Sequence, residues 1–124
     1  MARSEVWLGA VAFAASLSAT GAMAQSPDAA KGADVFDDRC GSCHVIGGVG
    51  QGPSLAGVVG RKAGAAPGFA YTDALKHSGL AWTPANLDRW LTGPQKLVPG
   101  TAMNVEVPDA AERRALIAYL ATLK

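Results

Sequence analysis

Residues 40–44 read Cys-Gly-Ser-Cys-His, and no other stretch of this chain restricts its fold as much. C-x-x-C-H is the attachment signature of a covalently bound c-type heme. Two thiols three positions apart can add to the two vinyl groups on one edge of a heme, turning Cys40 and Cys43 into thioethers. His44 then lies under the iron and offers an imidazole nitrogen as the proximal ligand. These are the only two cysteines, and His44 is one of two histidines. A C-x-x-C pair also serves redox disulfides and zinc sites. Zinc would need about four Cys or His ligands, and only His77 remains outside the motif. A thioredoxin-like dithiol expects a βαβ context, and no β-rich run precedes Cys40.

The N-terminus reads as a separate segment. Arg3 gives a short basic start, an apolar stretch runs from about Val6 to Leu17, and Ala22-Met23-Ala24 forms an A-x-A cleavage pattern before Gln25. That is the layout of a signal peptide. A retained anchor is the alternative, but the apolar run falls short of the roughly 20 residues of a spanning helix. The expected organisation is a cleaved signal peptide at 1–24 and one domain at 25–124. No stable membrane insertion is expected after cleavage. Export agrees with the heme motif, because c-type heme is attached outside the cytoplasm. A bacterial periplasm fits best, since a mitochondrial presequence would be Arg-rich and amphipathic.

Arg3 and Glu5 leave together, so 10 of 11 basic and 9 of 10 acidic side chains remain and the formal charge stays +1. No basic tract of the nucleic-acid-binding kind is present. About 100 residues build only a thin core, which a large apolar cofactor would complete.

The remaining pattern is all-α. Gly, Pro and Ala crowd residues 47–68, which predicts an ordered loop region, and alternating β-type runs are absent. A first helix starts near Ser26-Pro27-Asp28, with Ser26 as N-cap and Pro27 at the first helical position. Ala29, Ala33, Phe36 and Cys40 share one face and deliver the first cysteine to the heme. Thr72 caps a short helix to about His77, stopped by Gly79. Thr83-Pro84 opens a third, with Leu87, Trp90 and Leu91 on one side, ended by Gly93-Pro94. Asp109 and Glu112 pair as a capping box for the last helix, whose apolar face holds Leu116, Ile117, Leu120 and Leu123, with Tyr119 beside it.

Heme iron has a second axial position. Met1 and Met23 leave with the signal peptide, so Met103 is the one methionine of the mature chain. It sits in Val98-Pro99-Gly100-Thr101-Ala102-Met103, a Pro/Gly loop able to hold a side chain rigidly. A lone Met is also ordinary core filler, His77 is a rival ligand, and an open site is a third option. Met opposite His is an established axial pair that raises the potential, and with both positions filled no ready site for substrate or oxygen remains.

The motifs Cys40–His44, GPSLAGVVGRKAG from Gly52, GFAYTDAL from Gly68, the Gly79-Leu80-Ala81-Trp82 turn, VPGTAM from Val98 and LIAYL from Leu116 occur in this order. Over nearly all of residues 26–124 the chain resembles class I cytochrome c, both the mitochondrial protein and its soluble bacterial counterparts. The resemblance implies a small all-α fold with helices packed around one covalent heme c and its iron, and loops closing the pocket. It implies His44 and Met103 as the iron ligands. Gly32 and Phe36 would cross the last helix against Tyr119 and Leu120. The Pro53 carbonyl would accept the Nδ1–H of His44. Arg61, Tyr71 and Trp82 would donate to one buried propionate, Thr101 would lie near the other, and Leu55 and Leu91 would pack on the heme. Plain core packing for the aromatics and a solvated charge for Arg61 are the simpler alternatives. Trp90 stands where a tyrosine near the methionine sulfur is usual, and an indole only donates. Ala102 replaces a lysine and Leu75 an asparagine. The lysine ring used for docking is thinned to Lys62, Lys76 and Lys96.

The function so implied is a periplasmic one-electron carrier, monomeric and without enzymatic activity. It would shuttle between redox complexes such as a quinol-cytochrome c reductase and an oxidase or photosynthetic reaction centre. The alternatives are a heme-bearing subunit of a larger dehydrogenase, or a peroxidase or gas sensor with a labile sixth ligand.

Overall fold

Each long helix begins where a short polar side chain can take up an orphan backbone N–H. The computed structural model describes Gly9 and residues 26–124, so the expected signal-peptide features lie outside the described residues. Ser26 Oγ accepts from Ala29 N–H at 3.1 Å and opens α1 (Pro27–Arg39). Thr72 Oγ1 accepts from Leu75 N–H at 3.3 Å and opens α2 (Asp73–Lys76). Thr83 Oγ1 accepts from Asn86 N–H at 3.2 Å and opens α3 (Pro84–Thr92). The sequence reading stopped at Gly93-Pro94, but Pro94 itself starts a further single turn, α4 (Pro94–Leu97). Asp109 Oδ1 accepts from Glu112 N–H at 2.8 Å and opens α5 (Ala110–Leu120).

The expected capping box is only half formed. The Glu112 carboxylate reaches across to α1, where its Oε2 lies 3.0 Å from Arg39 Nη2. A tertiary charge contact thus takes the side chain that local pattern assigns to the Asp109 N–H. Leu123 lies beyond the end of α5, where its carbonyl accepts Gly57 N–H at 3.0 Å and ties the C-terminus to the long loop.

Crossing of α1 and α5 is the principal helix packing. It depends on Gly32, where a Cβ would overlap the Ala115 carbonyl and stand 2.8 Å from Tyr119 Cβ. Phe36 meets Tyr119 beside this crossing, with ring centroids 5.5 Å apart. The buried face of α1 is Ala29, Gly32, Val35 and Phe36, while Ala33 is half-buried. Helix α3 is joined to α5 by Arg113, whose Nε donates to Asp88 Oδ1 at 2.8 Å and whose Nη1 donates to the Val107 and Pro108 carbonyls at 3.0 and 2.8 Å.

No strand occurs among the described residues, only an isolated bridge between Lys62 and Ala81. Around it Gly60, Trp82 and Ala63 N–H groups donate to the Trp82, Arg61 and Leu80 carbonyls, each at 2.8 Å. These bonds hold the loop between α1 and α2 against the segment before α3. The core includes Phe36, Val58, Leu75, Trp82, Leu87, Trp90, Leu91, Leu116 and Leu120.

Candidate heme site

Helix α1 ends on the motif. Cys40 is its C-cap and donates its N–H to the Phe36 carbonyl at 2.8 Å. The chain then turns once, with Cys43 and His44 N–H donating to the Cys40 carbonyl at 3.1 and 2.9 Å. This turn brings both sulfurs and the imidazole to one cavity. Cys40 is buried, and burial pushes its thiol up to about 11, opposed by nearby Arg39 and reinforced by Cys43. It faces the cavity as a neutral thiol.

The His44 ring is fixed from two sides. Its Nδ1–H donates to the Pro53 carbonyl at 2.8 Å. A carbonyl can only accept, so Nδ1 carries the proton and Nε2 keeps its lone pair for a metal. The ring also lies on the backbone of Gly52, where a Cβ would come 2.5 Å from Cε1, 2.7 Å from Nδ1 and 2.9 Å from Nε2. Sequence reasoning did not single out Gly52 as a site residue. The Gly52-Pro53 pair beside the expected carbonyl acceptor was its only signal.

The cavity holds about 350 Å³ of water-accessible volume, within the range of cofactor sites. Every site residue expected from sequence lines it: Cys40, Cys43, His44, Pro53, Arg61, Tyr71, Trp82, Trp90, Thr101 and Met103. Leu55, Val58, Leu75, Leu87, Leu91, Leu116 and Leu120 supply apolar wall. His77 is not part of the lining; it is exposed, and its Nδ1–H donates to the Asp73 carbonyl at 2.9 Å.

Arg61 tests whether a heme fits. Its Nη1 and Nη2 donate to the Ala56 and Ser54 carbonyls at 3.1 and 2.8 Å, but Nε is buried with no protein partner. An orphaned buried donor costs roughly 1–3 kcal/mol, and the Arg61 cation in the cavity wall would favour an acidic group bound there. An apolar slot with two thiols, a free imidazole nitrogen and a thioether on its walls, plus an arginine cation, matches an amphiphilic iron porphyrin. The aromatics frame it in pairs: Tyr71 stacks edge-on with Phe69 and Trp82 with Trp90, both at 5.0 Å. Tyr71 and Trp82 thus pack against neighbouring aromatics and also line the cavity.

Gln95 is a second residue that sequence reasoning missed. Its Nε2 donates to the Thr101 carbonyl at 2.6 Å and the Met103 carbonyl at 3.3 Å.

The family model named Cytochrome c matches residues 29–124. The chain belongs to the cytochrome c family. It is 50% identical over 105 residues to cytochrome c2 of Rhodoblastus acidophilus, across 82% of this chain and 95% of that protein. It is 40% identical over 100 residues to cytochrome c of Euglena viridis, across 78% and 98%. Among solved structures, cytochrome cH from Methylobacterium extorquens matches with a TM-score of 0.74 at 48% identity, over 77% of this chain and 98% of that one. The fold is thus the small all-α fold of class I cytochrome c. The cofactor of this cytochrome is a covalent c-type heme with its iron, and its broad activity is electron carriage. Zinc and a thioredoxin-like dithiol drop out as readings of Cys40 and Cys43.

Proposed function

We propose that this cytochrome is a periplasmic one-electron carrier with His44 and Met103 as the two iron ligands. The observation that carries the reading is the convergence of a tautomer-fixed His44 and Met103 on one apolar cavity beside both thiols. When bound, the heme supplies a reversible Fe(III)/Fe(II) couple whose potential a Met/His pair raises. Cys40 and Cys43 tether one edge. Pro53 orients the His44 ring and raises its basicity. Arg61, with Tyr71 and Trp82, receives one propionate, and Thr101 lies by the other. Trp90, Leu55 and Leu91 would pack on the heme and exclude water from the cavity. Two filled axial positions leave no ready site for substrate, so carriage is favoured over catalysis.

The chain acts as a monomer after removal of residues 1–24. It takes electrons from a donor such as a quinol-cytochrome c reductase and passes them to an oxidase or reaction centre. Among the described residues no helix is long and apolar enough to cross a membrane.

Absorption and potentiometry of the holoprotein test the ligand set. Ferric protein should show the weak red band of methionine-to-iron ligation. Met103→Ala should abolish the band and lower the potential, whereas His77→Ala should leave both unchanged. A band that survives Met103→Ala would overturn the assignment.

A further inference from the structure

The loop that carries Met103 has few internal supports. Thr101 N–H donates to the Val98 carbonyl at 3.1 Å, and the next backbone anchor is Val107 N–H on the Leu91 carbonyl at 2.7 Å. From Thr101 to Glu106, among the described residues, the loop backbone takes hydrogen bonds from one side chain only. Gln95 Nε2 reaches the Thr101 carbonyl at 2.6 Å and the Met103 carbonyl at 3.3 Å. Both partners are carbonyls, so the amide nitrogen must face them, and its two N–H groups match the two acceptors. Gln95 sits on α4 beside the fully buried Pro94, which ties that turn to the core. A fixed platform therefore grips the backbone of the very residue whose side chain enters the cavity.

We propose that Gln95 is the positioning residue of the methionine loop, clamping the Thr101 and Met103 carbonyls and so setting how often the Met103 thioether leaves the iron. The proposal rests on Met103 being the sixth ligand. Gln95 is not part of the cavity lining and its hydrogen bonds go to main-chain carbonyls, so its effect is on loop opening and not on the bond itself. Opening is the step that admits a foreign ligand, and the rate of admission reports the clamp directly. Losing this pair of hydrogen bonds should raise the open population by about tenfold.

The test uses ferric holoprotein with imidazole as the probe. Gln95→Leu keeps the bulk and removes the donors. Gln95→Glu keeps the shape but presents only acceptors to two carbonyls. Gln95→Arg restores N–H donors on a side chain that does not titrate. Imidazole binding at saturating concentration should be about tenfold faster in the Leu and Glu variants and near wild type in Arg. Amide hydrogen exchange at residues 102–106 should accelerate in parallel, while the denaturation midpoint stays close to wild type. Unchanged imidazole rates in Leu and Glu, with the methionine band intact in wild type, would overturn the clamp. So would a lowered denaturation midpoint with unchanged imidazole rates, because Gln95 would then support only the fold. A wild-type protein without the methionine band would instead remove the ligand assignment beneath the proposal.

Discussion

Gly52 shows how much a missing side chain can set. The His44 ring rests on its backbone, and three ring atoms fall within 2.9 Å of where a Cβ would stand. The ring cannot retreat without stretching the 2.8 Å bond from Nδ1–H to the Pro53 carbonyl. Gly52→Ala should therefore cost about 1–3 kcal/mol by overpacking, read as a lower denaturant midpoint of the holoprotein. Gly41→Ala is the control. It lies inside the same motif, but its nearest neighbour for a Cβ is the Asp37 carbonyl at 3.4 Å, and it should be close to neutral. Equal effects at the two positions would show that the ring contact does not matter. Arg61 is the polar counterpart: two of its nitrogens are spent on the Ala56 and Ser54 carbonyls, which fixes a cationic side chain in the cavity wall.

At the scale of elements, the helix caps combine local chemistry with pH. The Asp109 carboxylate accepts Glu112 N–H, and this bond above all holds its carboxyl below the ordinary value of 3.8, with smaller help from Ala111 N–H, Lys31 and Arg113. A depressed folded value contributes stability above the unfolded pKa, and the contribution is lost as pH falls through the folded one. Asp109→Asn keeps an acceptor at the cap but does not titrate. The wild-type melting temperature should fall more steeply than the variant's below about pH 4, and parallel curves would show that the cap carries no proton linkage. All four side-chain caps were legible in the sequence, because a cap and its N–H partner lie three residues apart. Cys40, Cys43, His44 and Met103 were legible for a different reason: Cys, His and Met are scarce here, so their chemistry stood out, whereas Pro53, Arg61, Tyr71, Trp82, Trp90 and Thr101 were reached only through the resemblance to class I cytochrome c. What was not legible depended on contacts distant in sequence. Glu112 turned to Arg39 on another helix. Helix α4 is four residues long, too short for a period, and opens on a Gly-Pro that reads as a stop. Gln95 and Gly52 matter only because of how their loops fold, Gln95 toward Thr101 and Met103 and Gly52 back onto the His44 ring.

For the whole molecule, charge sets how it meets a partner. The formal charge is +1, and even the thinned set of lysines is not wholly free, since Lys76 Nζ lies 3.0 Å from Asp73 Oδ1 on α2. From Cys40 to Gly60 there is no Asp, Glu, Lys or Arg, and beside the attachment motif Val45, Ile46 and Val49 stand about half exposed. A surface of this kind offers a partner little long-range field. Steering by strong fields raises association rates by about 10- to 1,000-fold and is erased by salt. With a Debye length near 8 Å at about 0.15 M salt, any steering by Lys62 and Lys96 acts only at short range. The bimolecular rate of electron transfer to a purified oxidase or reaction centre should therefore fall less than about tenfold from low to physiological ionic strength. Stopped-flow measurement over that range decides the matter. A fall of about a hundredfold or more would mean that a few lysines suffice to steer docking, and that apolar contact near the heme edge is secondary.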